Sequence, residues 1–151
     1  ILELSDQSGF YGILSKLEII QKYSLNQKYE NVENIYNNLL SNKNLNKTYK
    51  SAIASKASYE FIDINFSNLS KDYIQTIETF ISFIDDELIS YEGVKLELKY
   101  LVGILNIEKN NLSYLNNNEV IDLYNSIMSS NTASSSIKDR VNKIHEFFKY
   151  K

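Results

Sequence analysis

The chain has no cysteine and no proline, four glycines, no tryptophan, and a single histidine among 151 residues. Without cysteine, disulfides, thiol nucleophiles and cysteine–zinc sites are excluded. Without proline, and with so little glycine, the usual punctuation of hairpin-rich β folds is missing. Turns must be made by asparagine and serine instead. One histidine is too few for a histidine metal cluster, and it must serve any triad alone. No apolar run approaches the roughly 18 residues that mark a membrane span. Ile1-Leu2-Glu3-Leu4-Ser5 lacks the basic start and apolar run of a secretory leader. Basic charge is also scarce: the net charge is −3 and the sequence pI is near 5.2. A dedicated nucleic-acid binder shows a strongly basic face, so no nucleic-acid partner is expected.

What is present is helical periodicity. With 43% hydrophobic and 23% charged residues, the composition is that of an ordinary globular chain, and its length fits one domain spanning 1–151. The strongest pattern runs from Ser70 to Leu105. Tyr73, Ile77, Phe80, Ile81, Ile84 and Leu88 form one apolar stripe, and Val94, Leu98, Leu101, Val102 and Leu105 form another. Gly93 lies between them, so the stretch predicts an antiparallel hairpin with its reversal at Gly93 and with Ile81, Ile84 and Leu101 in the core.

Upstream, a helix is predicted over about Ser8 to Ser24, carrying Phe10, Ile13, Leu14, Leu17 and Ile20. Ser24 and Gln27 then fit a capping box for a helix carrying Val32, Ile35, Tyr36, Leu39 and Leu40. A third helix covers about Lys47 to Ile64, with Phe66-Ser67-Asn68 as its exit turn. Ser51, Ala52, Ala54, Ser55, Ala57 and Ser58 crowd its first half, which implies close packing against a neighbour.

Downstream, Asn110 to Asn118 is a polar connection in which Leu112, Tyr114 and Leu115 tuck under the bundle. Asn118 caps a helix with Val120, Ile121, Tyr124, Ile127 and Met128. Ser136 and Asp139 offer a capping box for a last helix with Ile137, Val141, Ile144 and Phe148. Ile62-Asp63-Ile64-Asn65-Phe66 and Lys95-Leu96-Glu97-Leu98 alternate like strands but sit within longer helical patterns. The expected fold is therefore all-α, a compact bundle of about seven helices with mostly antiparallel neighbours.

Chemistry-bearing patterns are few. Asp85-Asp86-Glu87 cannot converge on one cation from a helix, because successive side chains fan out by about 100°. No Gly-x-Ser-x-Gly elbow and no glycine-rich phosphate loop occurs. The expectation is no catalytic residue, no metal ligand and no cofactor. Asn-x-Ser/Thr triplets such as Asn46-Lys47-Thr48 arise by chance in so Asn- and Ser-rich a chain.

Two signals point to binding. Charges from Lys43 to Lys56 are all basic, and those from Asp72 to Glu92 are all acidic. Such segregation serves either internal complementarity or the steering of a charged partner. Tyrosine occurs 12 times. Tyr59 and Tyr100 fall off their helical stripes, and exposed tyrosine beside lysine is frequent in recognition surfaces. Lys95, Lys99, Tyr100 and Tyr59 are thus the candidate binding residues.

Asn, Lys, Ile, Tyr and Ser are heavily used, as in AT-rich genomes, and Arg140 is the lone arginine. Stretches such as ENVENIYNNLLSNKNLNKTYK and NIEKNNLSYLNNNEV resemble, in compositional style, the helical surface lipoproteins of Borrelia-type spirochaetes. That resemblance implies a non-enzymatic domain at the cell surface, held to the outer membrane by a lipid anchor upstream of this stretch. Its role would be adhesion or immune evasion through a host or vector protein. Two alternatives stay open. One is a carrier of an apolar ligand in a cavity lined by Phe80, Phe83, Ile84 and Leu101. The other is a cytoplasmic interaction or immunity-type bundle.

Overall fold

Asparagine and serine do the work of the missing proline and glycine. The computed structural model describes residues 10–25 and 28–150. They form seven α-helices: α1 Phe10–Leu25, α2 Tyr29–Leu40, α3 Lys47–Ser67, α4 Ile74–Ser82, α5 Glu92–Asn110, α6 Asn118–Ser129 and α7 Ser135–Lys149. A short 3-10 turn, Ile89–Tyr91, precedes α5. No strand occurs among the described residues, and both alternating segments are helical.

The helix starts are capped by short polar side chains. Asn46 accepts from the Thr48 N–H, Asn117 from Val120 and Ser134 from Ile137. The predicted caps Asn118 and Ser136 are thus displaced by one and two residues, each lying just inside its helix. Ser24 falls within α1, and Gln27 and the start at Ser8 and Gly9 lie outside the described residues. α2 follows Lys28, which makes no side-chain cap. At the end of α5, Asn111 takes the left-handed conformation, φ 51°, which asparagine tolerates better than most residues.

α3 runs on past the predicted turn, and its exit is built on Asn65. This side chain is fully buried. Its amide nitrogen donates to the carbonyls of Asn68 and Lys71, and its oxygen accepts from the Tyr73 N–H at 3.0 Å. One side chain therefore folds the α3–α4 connection. Asn65→Leu is expected to lower unfolding free energy by about 2–3 kcal/mol, since an orphaned buried polar group costs roughly 1–3 kcal/mol. Urea denaturation checks this; a loss below about 1 kcal/mol would show that water replaces the amide there.

Two apolar cores share α5. The first gathers α1 to α4 around Ile20, Val32, Tyr36, Leu39, Leu40, Phe61, Ile77, Phe80 and Ile84, with Leu98 and Leu105 from α5. The second lies between α5, α6 and α7 around Tyr100, Ile104, Ile107, Tyr114, Val120, Ile127 and Val141. α3 is enclosed on several sides. Ser51, Ser55 and Ser58 are buried along with Ala54 and Ala57, as the run of small residues predicts. Ser55 and Ser58 donate back to the carbonyls four residues earlier, and Ser51 Oγ accepts from the Asp85 N–H. No buried side-chain N or O is left unpartnered among the described residues.

The hairpin exists, with corrections. α4 stops at Ser82, and the chain reverses over residues 83–91 rather than at Gly93. Gly93 is buried in the first turn of α5, where a Cβ would stand 2.7 Å from Ala133 Cα in the α6–α7 connection. Glycine is there to admit that backbone. Ile81 and Ile84 are core, but Leu101 is half-buried at the edge of the first core. In the α5–α6 connection only Tyr114 tucks in, at 4% exposure; Leu112 and Leu115 are 48% and 55% exposed.

Candidate functional site

Because α5 packs on both sides, a third face of it is left between α4 and α6. Lys95, Lys99, Val102, Gly103 and Asn106 recur along that face at steps of four, three, one and three. They floor a groove of about 800 Å³. α4 supplies one wall through Ile74, Glu78, Ile81 and Ser82, and α6 and its cap the other through Asn117, Glu119, Val120 and Leu123. From Lys95 to Asn106 the floor is ~17 Å long at 1.5 Å per helical residue. Gly103 sets the depth, since a Cβ there would meet Val120 Cγ2 at 2.5 Å.

The direction of α4 follows from two lysines. Lys95 donates to the Ile84 carbonyl past the end of α4. Lys109 donates to the Lys71 carbonyl before its start. α4 is therefore antiparallel to α5, and the groove has a polar end at Lys95 and Lys99 and another at Asn106, Asn117 and Glu119. Lys95 is committed: its side chain is 16% exposed and it bonds Asp86 at 2.5 Å, which holds the Asp86 carboxyl below its usual range. Lys99, Glu78 and Glu119 have no hydrogen-bond or ion-pair partner among the described residues. The site thus offers a mixed floor, with Val102 and Gly103 between lysines at one end and Asn106 at the other, one lysine outside any ion pair, and carboxylates outside any ion pair on both walls.

The four predicted binding residues do not form one patch. Lys95 and Lys99 come together on the groove floor. Tyr100 is fully buried in the second core, its hydroxyl 2.7 Å from that of Tyr114. Tyr59 is half-buried and donates to Glu97 Oε1 at 2.5 Å. The exposed Tyr–Lys surface is not formed, because α5 carries a second apolar stripe. Leu96, Tyr100, Ile104 and Ile107, at steps of four, four and three, all belong to the second core. That stripe was the signal that could have placed Tyr100.

Sequence reasoning also missed the polar junction between the two cores. Glu97 is 1% exposed. Arg140 of α7 grips it with two bonds, Nε to Oε2 at 2.9 Å and Nη2 to Oε1 at 2.8 Å. The carboxylate in turn holds the Arg140 guanidinium up above its ordinary range. Burial, together with the bond to Glu97, pushes the Tyr59 hydroxyl up. The chain's only arginine is placed where a planar two-pronged donor fits a carboxylate and lysine does not.

Charge segregation is partly internal. Lys47 of α3 lies 3.6 Å from Asp85 and 3.9 Å from Glu87. Lys56, by contrast, pairs with Glu60 on its own helix. Asp85 and Glu87 thus share Lys47, while Asp86 turns to Lys95. Among the described residues no group of three or more His, Asp or Glu converges as a metal site does, and no helix is long and apolar enough to cross a membrane. Phe80 and Ile84, expected to line a ligand cavity, are packed inside the first core, with Phe83 and Leu101 at its edge. Comparison with family models, curated proteins and solved structures finds no match.

Proposed function

We propose that this chain is a non-enzymatic, surface-displayed helical domain that binds a host or vector protein through the groove over α5. The observation that carries the reading is the groove's combination of an apolar strip, Ile81, Val102 and Val120, with Lys99, Glu78 and Glu119, which make no ion pair among the described residues. Charges that make no internal ion pair beside an apolar strip steer and orient a partner. The occupant that fits is an amphipathic helix of the partner, about three turns long to match the ~17 Å floor. It sets an acidic residue toward Lys99 and a basic residue toward Glu78 and Glu119, with its apolar face on Ile81, Val102 and Val120. Surface display through an upstream lipid anchor is supported by the compositional likeness to spirochaetal surface lipoproteins.

The test is retention of host-serum proteins on the immobilised chain at low and high salt. Wild type, Lys99→Glu and Val102→Arg are compared, each first shown to melt within a few degrees of wild type. One protein held by wild type should bind Lys99→Glu about tenfold more weakly, a difference of ~1.4 kcal/mol, and escape Val102→Arg altogether. Equal retention by all three would remove the groove from the reading, and bare beads at every salt would remove protein binding. The groove's volume alone favours a second reading, an apolar small ligand, since such pockets span roughly 300–1,000 Å³. Native mass spectrometry of the freshly purified chain would show that ligand as added mass.

A further inference from the structure

The two ends of α5 differ in charge and in apolar exposure. One end is the α4–α5 connection. Between residues 83 and 92 the chain carries Asp85, Asp86, Glu87 and Glu92 and no cation; Lys47 and Lys95 offset part of that charge. The other end is the α5–α6 connection, which from Asn110 to Asn118 carries no charge at all. α7 returns to this second end. Its start follows Ala133, which packs on Gly93, and its last turn brings Phe148 onto Tyr114, ring centroids 5.0 Å apart.

Four large apolar side chains stand out here. Leu112 and Leu115 of the connection are exposed, as are Phe147 and Tyr150 at the end of α7, at 60% and 76%. Between the leucines, Tyr114 is drawn into the second core. It forms a row with Tyr100 and His145: its hydroxyl lies 2.7 Å from that of Tyr100 and 2.9 Å from His145 Nδ1. The leucines are left outside. On α7, Ile137, Val141, Ile144 and Phe148 belong to the second core, while Arg140, Lys143, Phe147 and Tyr150 recur at steps of three, four and three on the exposed face. Lys149 lies 5.5 Å from the Tyr150 ring centroid. Neither Lys143 nor Lys149 makes an ion pair among the described residues.

The four apolar side chains expose on the order of 400 Å², the size of the patches that monomers use for binding. That is about half of the ~800 Å² per partner in a stable protein interface. A second copy meeting this end would therefore be held weakly, and it would bring the lysines of both copies together. A bilayer needs no complementary surface. Leucine tips enter the edge of the acyl chains, Phe and Tyr rings settle at headgroup level, and lysine stems carry their amines to the phosphates. The charges agree. Ser135 to Tyr150 carries Lys138, Arg140, Lys143 and Lys149 against Asp139 and Glu146. The acidic end is ~27 Å away at 1.5 Å per residue along α5. That exceeds three Debye lengths of ~8 Å at physiological salt, so its carboxylates do not oppose an anionic surface.

We propose that this end of the bundle docks on an anionic lipid bilayer, with Leu112, Leu115, Phe147 and Tyr150 entering the interface and Lys143 and Lys149 against headgroup phosphates. α5 and α7 then meet the bilayer by their ends, and the acidic turn points away from it. The docking is independent of what fills the groove.

The chain has no tryptophan, so a single one introduced reports on its own surroundings. Leu115→Trp is compared with Ile89→Trp at the acidic end; both positions are exposed, and each variant is first shown to melt within a few degrees of wild type. Vesicles of phosphatidylcholine with about one quarter phosphatidylglycerol should shift the Leu115→Trp emission to the blue, and brominated acyl chains should quench it. Ile89→Trp should show neither effect. In flotation with the same vesicles wild type should rise with the lipid. Leu112→Ser combined with Leu115→Ser should partition about tenfold less. Lys149→Gln should partition about fivefold less, a difference that disappears on phosphatidylcholine alone. Wild type that floats with neither vesicle, or equal blue shifts at both positions, would overturn the proposal. So would dimers in light scattering that the double leucine variant abolishes while wild type fails to float, which would give the patch to a second copy.

Discussion

Arg140→Leu is expected to destabilise the fold by about 2–4 kcal/mol. Removing one partner of a buried pair costs roughly 3–5 kcal/mol because the remaining charge is stranded. Here the Glu97 side chain is 2% exposed but that of Arg140 is 55% exposed, so water takes over part of the arginine's role and the loss falls short of the full range. Arg140→Lys should recover less than half, since an ammonium cannot span both carboxylate oxygens. The carboxylate, not the arginine, is the liability. The triple change Tyr59→Phe, Glu97→Leu and Arg140→Leu removes the buried charge together with both its partners and should restore most of the stability, as replacement of buried ion pairs by apolar groups often does. Urea denaturation of the four chains tests this. If the triple variant is no more stable than Arg140→Leu, stranded charge is not the cause of the loss.

The same junction shows where reading the sequence stops. Stripes on single helices were legible: Ile77, Phe80 and Ile81 of α4 are buried as their spacing predicts, as is Ile84 just past its end, and with no proline and almost no glycine the all-α class was the natural outcome. The starts of α6 and α7 were legible to within two residues, because Asn and Ser can cap from adjacent positions, whereas the end of α4 at Ser82 falls six residues short of the Leu88 that the stripe reached. Glu97 was not legible. It sits between Leu96 and Leu98 and looks like the polar member of an alternation; only the docking of α7, 43 residues away, supplies its arginine. Tyr100 was misplaced for a related reason. A helix shared by two cores carries two apolar stripes, and Tyr100 is off one and on the other. Of the groove residues, Lys95 and Lys99 were named only as neighbours of Tyr100, which is itself buried. The groove's walls were not legible, because a groove depends on which helix faces are left uncovered, and that is settled by packing between distant segments.

Phe80→Ala is expected to cost about 4–5 kcal/mol, at the upper end of the range for Phe→Ala. Phe80 is fully buried and meets Tyr36 and Phe61 edge to face, at centroid distances of 5.7 and 5.4 Å. Phe61 meets Tyr73 in the same way at 5.4 Å. Each such contact adds about 0.5–1.5 kcal/mol beyond area burial, and removing Phe80 breaks two of them and opens a void between α2, α3 and α4. At ~2–4 °C per kcal/mol for a chain of this size, the melting temperature should drop by roughly 10–20 °C. Leu101→Ala, at the edge of the same core, should cost only about 1–2 kcal/mol, less than a fully buried leucine would. If Leu101→Ala proves as damaging as Phe80→Ala, the first core is centred on α5 and not between α3 and α4. The division into two cores has its own check in the same variant. Phe80 is remote from the Tyr100–Tyr114–His145 row, with α5 between them, so the ring signals of His145 in folded Phe80→Ala should stay where they are in wild type. Signals that move would mean that α5 transmits repacking from one core to the other.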